Sequence, residues 1–142
     1  MRILQPQHPL YGPAERAIRL LPERGWKLHI VAQNLIELWV VATRPRGENG
    51  LGMTTAAALA ELERMAELER MKDIFRFLPE TNAIYTEWES LVVEHRVSGK
   101  PAHDARLCAA MKVHGLTAIL TFDRTGFSRF PDVLVVQPAE VL

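Results

Sequence analysis

Short runs of aliphatic and β-branched residues alternate along this chain with longer segments whose apolar positions recur every three or four residues. Leu28-His29-Ile30-Val31-Ala32, Ala118-Ile119-Leu120-Thr121-Phe122 and Val133-Leu134-Val135-Val136 are the apolar runs. Their length and composition predict strands covered on both faces. Arg76-Phe77-Leu78, just before Pro79, is a minimal fourth candidate. The helical segments are longer. Pro6, Pro9, Gly12 and Pro13 make the opening an irregular lead-in, after which Ala17, Ile18 and Leu21 mark a helix over Ala14 to Leu21, ended by Pro22 and Gly25. Asn34 is predicted to cap a second helix through about Ala42, with Glu37 as its capping-box partner. Leu35, Ile36, Leu38, Trp39, Val40 and Val41 make that helix apolar on nearly every side, which predicts deep burial. Arg44 to Gly52 reads as a loop, and Thr54 or Thr55 opens a long helix to about Asp73. Ile84, Trp88, Leu91, Val92 and His95 share a face of the next helix. Ser98-Gly99-Lys100 breaks it, and Pro101 is the first residue of a helix ending near His114-Gly115.

Helices alternating with short apolar strands predict an α/β fold whose parallel sheet is covered on both faces, as one domain over residues 1–142. Such domains usually begin with a strand, whereas this pattern begins with a helix. A tandem hexapeptide interrupts the regularity: Ala60-Glu61-Leu62-Glu63-Arg64-Met65 recurs as Ala66-Glu67-Leu68-Glu69-Arg70-Met71. Six residues advance a helix by roughly 600°, so the second copy turns its Leu and Met away from the face used by the first. Either the duplication lengthens an exposed helix, or it builds an interaction face.

Composition narrows the class. Apolar residues are 48% and charged residues 24% of the 142, the balance of an ordinary globular domain. With 17 basic and 17 acidic side chains the formal charge is zero, so any grip on nucleic acid must come from a local patch. The single cysteine, Cys108, excludes an internal disulfide and reads as a buried thiol. No apolar run reaches membrane-spanning length and no signal peptide is apparent, so a cytoplasmic location is expected.

Three acids fall where open α/β sheets do their chemistry, beyond the carboxyl ends of strands. Glu37 lies in the first turn after the strand Leu28 to Ala32. Asp104 lies in the first turn of the helix opened by Pro101, and Asp123 directly follows Ala118 to Phe122. Carboxylates gathered at one point repel, and a bound cation makes their joint ionisation favourable. Magnesium takes oxygen ligands and completes its shell with water and substrate phosphate. Each acid also has an ordinary structural explanation: a capping box for Glu37, the helix dipole for Asp104, a turn for Asp123. Spacing alone does not choose between them.

Three motifs add a resemblance. Val31-Ala32-Gln33-Asn34-Leu35-Ile36-Glu37-Leu38-Trp39 with Ala42-Thr43-Arg44-Pro45, then His103-Asp104-Ala105-Arg106-Leu107, then Leu120-Thr121-Phe122-Asp123-Arg124 with Phe127-Ser128-Arg129-Phe130, resemble in order the second, third and fourth acidic motifs of PIN-domain ribonucleases. The likeness is to the VapC-type toxins of bacterial toxin–antitoxin pairs. It implies a three-layer α/β/α domain with a short parallel sheet. It also implies an Mg2+-dependent endoribonuclease, with Mn2+ as a substitute ion, in which Glu37, Asp104 and Asp123 are the catalytic metal ligands. Asn34, Arg44, Lys100, Arg106 and Arg124 are the RNA-binding candidates by the same likeness. A homodimer and a silencing antitoxin partner are further implications.

One motif of the family is missing. Its members open with a strand ending in Asp-Thr-Asn that lies in the middle of the sheet, whereas no Asp occurs here before Asp73. The first, central strand is therefore expected to be absent or replaced, the sheet gapped, and metal affinity and turnover severely reduced or lost. A start codon assigned too far downstream and a genuine truncated relative are the two explanations. The rival functional reading is an inactive PIN-like module that binds an antitoxin or its own kind. An unrelated phosphate binder is disfavoured because no Gly-rich loop follows any strand. His103 reads as a structural imidazole, and Trp26, Trp39 and Trp88 as core or dimer contacts rather than base-stacking residues.

Overall fold

Among the described residues the strands pair only in parallel, and each is three residues long. The computed structural model describes residues 7–72 and 74–141, with side chains for 7–67 and 74–141. Its elements run α1 (Tyr11–Glu23), β1 (Leu28–Ile30), α2 (Ala32–Thr43), α3 (Thr55–Lys72), β2 (Phe75–Phe77), α4 (Asn82–Glu94), α5 (Pro101–Val113), β3 (Ala118–Leu120), α6 (Arg124–Phe127) and β4 (Leu134–Val136). The chain divides into two compact units, one reaching to Leu78 and taking in Val141, the other running Pro79–Glu140.

In the first unit, α1 buries Ala14, Ala17 and Leu21 along one stripe. It starts three residues earlier than the apolar pattern suggests and includes Pro22. Pro13 sits in the first turn, where a missing N–H costs no helical bond. The end comes at Gly25, φ 84°, whose N–H donates to the Pro22 carbonyl at 3.0 Å. β1 pairs with β2 in the register Leu28 to Phe75 and Ile30 to Phe77. α2 begins at Ala32, two residues before the expected cap. Asn34 is its third residue, and the Asn34 Oδ1 accepts the Val31 N–H at 2.9 Å. Glu37 is not the capping partner. Nor is α2 deeply buried: Gln33, Leu38 and Ala42 are, but Ile36 is 62% and Val40 45% exposed. A helix with one face against a core leaves its other face outside, however apolar its residues. After α2, a Cβ on Gly50 would lie 1.9 Å from the Arg44 carbonyl oxygen, so only glycine fits this loop. α3 is capped by Thr54, whose hydroxyl accepts the Ala57 N–H at 3.2 Å. In the first hexapeptide copy Met65 is buried; the Leu68 and Met71 side chains of the second lie outside the described residues.

In the second unit, α4 brings Ile84 and Leu91 against α5, which answers with Ala105, Cys108, Ala109 and Met111. Alanine lets the two backbones approach closely. β3 pairs with β4, Ala118 to Leu134 through Leu120 to Val136. Among the described residues no ladder joins this pair to β1–β2. The strands read from sequence as buried on both faces are only half-buried, and Phe77 (45%) and Leu134 (58%) are exposed. A two-stranded ladder explains this, because each strand has a neighbour on one side alone. No described helix is long and apolar enough to cross a membrane.

Candidate active site

The second unit gathers two of the three acids. Asp104 stands in the first turn of α5 and is half-buried. Asp123 is the N-cap of α6, a short helix that the sequence reading took for a turn. Its Oδ1 accepts the Gly126 N–H at 2.9 Å and the Thr125 hydroxyl at 2.9 Å. These donors favour the ionised form, led by the Gly126 N–H, and hold the Asp123 carboxyl below the usual carboxylate range. The second oxygen turns toward Asp104. A Cβ built on Gly126 would lie 2.9 Å from Asp123 Oδ2 and 3.0 Å from Asp104 Oδ2. The two carboxylate oxygens are therefore within about 6 Å of each other across a residue that has no side chain. Gly126 was missed in the sequence reading. Its signal was the Asp-x-x-Gly spacing, which looks like any turn until a second acid is seen facing it.

Asp104 also reaches the thiol beneath it. Burial pushes Cys108 up to about 12, and the nearby Asp104 charge adds to the rise. Cys108 is thus a neutral packed thiol, as its apolar neighbours suggested.

Glu37 belongs to the first unit. Because α2 starts at Ala32, Glu37 falls in the second turn, not the first. It is exposed, and its Oε1 accepts from the amide of the buried Gln33 at 2.9 Å. Gln33, a second residue the sequence reading passed over, orients it. Among the described residues no group of three or more His, Cys, Asp or Glu side chains could hold a metal ion.

Four of the five RNA-binding candidates are engaged. Arg106 pairs with Glu80 at 2.5 Å, and Arg124 pairs with Glu140. The Arg44 guanidinium donates to the Glu48 carbonyl at 3.4 Å, and the Asn34 amide oxygen is taken by the Val31 N–H. Lys100 and His103 are exposed around the start of α5. Trp26, 48% exposed, is no core residue, whereas Trp39 and Trp88 are half-buried.

The PIN domain family model matches residues 7–133, through both units and past all three acids. This chain belongs to the PIN domain family. No curated protein matches it. PIN domains are generally nucleases, so the family match points to a nuclease-type function and implies RNA binding. The parallel strands between helices agree with the PIN fold. PIN nucleases typically use divalent metals, and the paired acids of the second unit suit that chemistry. Asp104 and Asp123 offer carboxylate oxygens, the hard donors magnesium prefers, and that ion is ordinarily held by one or two such groups plus water and phosphate.

Proposed function

We propose that this PIN domain is a metal-dependent endoribonuclease of the toxin–antitoxin type, VapC-like in its motifs and folded as one domain over residues 1–142. The observation that carries the reading is the approach of the Asp104 and Asp123 carboxylates across Gly126. They are the proposed catalytic metal ligands, for Mg2+ or, in its place, Mn2+, and Glu37 is proposed as a third on the family likeness alone. The bound ion would lower the pKa of a water and supply hydroxide for phosphodiester cleavage. The protein's part is to keep Asp123 ionised through Gly126 and Thr125, and to orient Glu37 through Gln33. Asn34, Arg44, Arg106 and Arg124 are the proposed RNA contacts, with Arg124 exchanging its carboxylate partner for phosphate. The exposed Ile36 and Val40 on α2 support a homodimer, and the family likeness supports an antitoxin partner and a cytoplasmic setting.

Incubation of the full chain with single-stranded RNA tests this. We expect cleavage with Mg2+ or Mn2+, none with a chelator, and at least a hundredfold loss in Asp104→Asn or Asp123→Asn; cleavage that survives both substitutions would refute the site. A second reading draws on a specific observation, the lack of a three-residue metal cluster among the described residues. It is an inactive module that binds an antitoxin or its own kind. Retained RNA binding without any cleavage would favour it.

A further inference from the structure

The second unit carries a pocket whose aromatic side chains have no part in the proposed chemistry. It is a cavity of about 370 Å³ at the start of α4, lined by Glu80, Asn82, Tyr85, Trp88 and Arg106 among others. That is near the lower end of the roughly 300–1,000 Å³ of small-molecule pockets. Its aromatic wall is fixed. The Trp88 indole N–H donates to the Ala102 carbonyl at 3.0 Å, and Tyr85 leans on Trp88 with ring centroids 5.8 Å apart. Tyr85 itself is 62% exposed, so a planar face is offered to solvent. The polar side is fixed as well. Arg106 holds Glu80 at 2.5 Å, and His114, at the end of α5, meets the Pro79 carbonyl at 3.0 Å, tethering the segment that carries Glu80.

We propose that this pocket binds one base of single-stranded RNA and prefers guanine, an assignment of ligand class that rests on the nuclease reading. An exposed aromatic ring is what a splayed-out base stacks on, and its neighbours read the Watson–Crick edge. Guanine presents two adjacent N–H donors beside a carbonyl acceptor. A carboxylate next to a guanidinium is the complementary set, with Glu80 accepting from the base and Arg106 donating to its carbonyl. Adenine and uracil do not present that order of donors and acceptor. An apolar peptide side chain would fill the space while desolvating the Glu80–Arg106 pair without replacing its bonds, a penalty that disfavours it.

Titration of the full chain with guanosine 5′-monophosphate and adenosine 5′-monophosphate, without divalent metal and followed by NMR, tests the pocket apart from catalysis. We expect guanosine 5′-monophosphate to bind about tenfold or more tightly than its adenosine counterpart. Glu80→Gln should bring the two within about twofold. Tyr85→Ala should weaken both by roughly tenfold, in line with the worth of a base stack, while Tyr85→Phe should keep the stack and the affinity. Equal binding of the two nucleotides, an unaffected Tyr85→Ala, or no binding at millimolar concentration overturns the proposal, whether or not the chain cleaves RNA. Specific binding by a chain that cuts nothing would leave the pocket standing and remove the nuclease.

Discussion

Gly126 makes the acid pair testable without altering either acid. The alanine methyl would lie 2.9 Å from the Asp123 Oδ2, closer than Cβ atoms sit, and 3.0 Å from the Asp104 Oδ2, a tight contact. Both oxygens are on side chains able to swing away, so Gly126→Ala should fold with a thermal midpoint close to the parent while driving the carboxylates apart. Calorimetric titration with Mn2+ should show affinity lowered by about 10–100-fold, the usual scale for disturbing a metal site's supporting contacts; unchanged affinity would mean that the two acids do not act together. Cys108 gives a second test at this scale. Its thiol is raised from 9.0 to about 12, so the folded protein keeps a proton that the unfolded chain loses. The stabilisation is complete below pH 9 and declines as pH rises from 9 toward 12. A disulfide reagent at pH 8 should therefore react with Cys108 only as fast as the chain opens. Rapid reaction in the native state would contradict the packing of α5. Asp123 has the opposite sign: its folded value is below 3.8, so its contribution is present above 3.8 and is lost as pH falls through the folded value. Thr125→Ala removes one of its donors, and the midpoint followed by carboxyl NMR should move up toward 3.8.

α2 is the element where pattern and structure part most clearly, and it shows what an apolar pattern can convey. Existence and type of the helices were legible because their periods and breakers, Pro101 and Gly99 among them, act within a few residues of chain. Which face of α2 is covered was not legible, because six apolar residues interrupted only by Glu37 spread around most of the helix and leave little to orient it. The structure resolves the ambiguity through Leu38, fully buried, against Ile36 at 62% exposure. Urea denaturation of two variants checks this: Leu38→Ala should cost about 2–5 kcal/mol, whereas Ile36→Ala should stay within roughly 0.5 kcal/mol. Equal losses would show that both faces of α2 are packed in solution. The strands were legible by composition, but their half-burial was not. Burial of a strand depends on neighbours from distant parts of the chain, and Leu134 reads as a core residue until its ladder is found to have two strands. α6 escaped for the reverse reason, since four residues are too few to show any period and only the Asp123 cap betrays it.

For the whole molecule, zero formal charge with paired arginines decides how RNA binding must respond to salt. The acids stood out in the sequence because motif order carried them. The state of the basic residues did not, because Arg106 and Arg124 lie 26 and 16 positions from the carboxylates that hold them. Such long-range pairs leave no local mark. Arg124, which already neutralises Glu140, trades that carboxylate for a phosphate, and the freed Glu140 takes up a cation as the phosphate gives one up. Counterion release from such contacts nearly cancels. Each unopposed phosphate contact to a single strand should steepen the slope of log K against log salt by about 0.7. With only Lys100, Arg44 and their like to add unopposed contacts, the measured slope should be shallow, about −1.5 or flatter. Glu140→Gln relieves Arg124 of its partner and should steepen the slope by about 0.7 while tightening binding at low salt. Fluorescence anisotropy with a labelled, non-cleavable RNA across a salt series measures both quantities. A steep slope in the parent, unaltered by Glu140→Gln, would place RNA on a basic surface other than these residues and would detach the arginines from substrate binding.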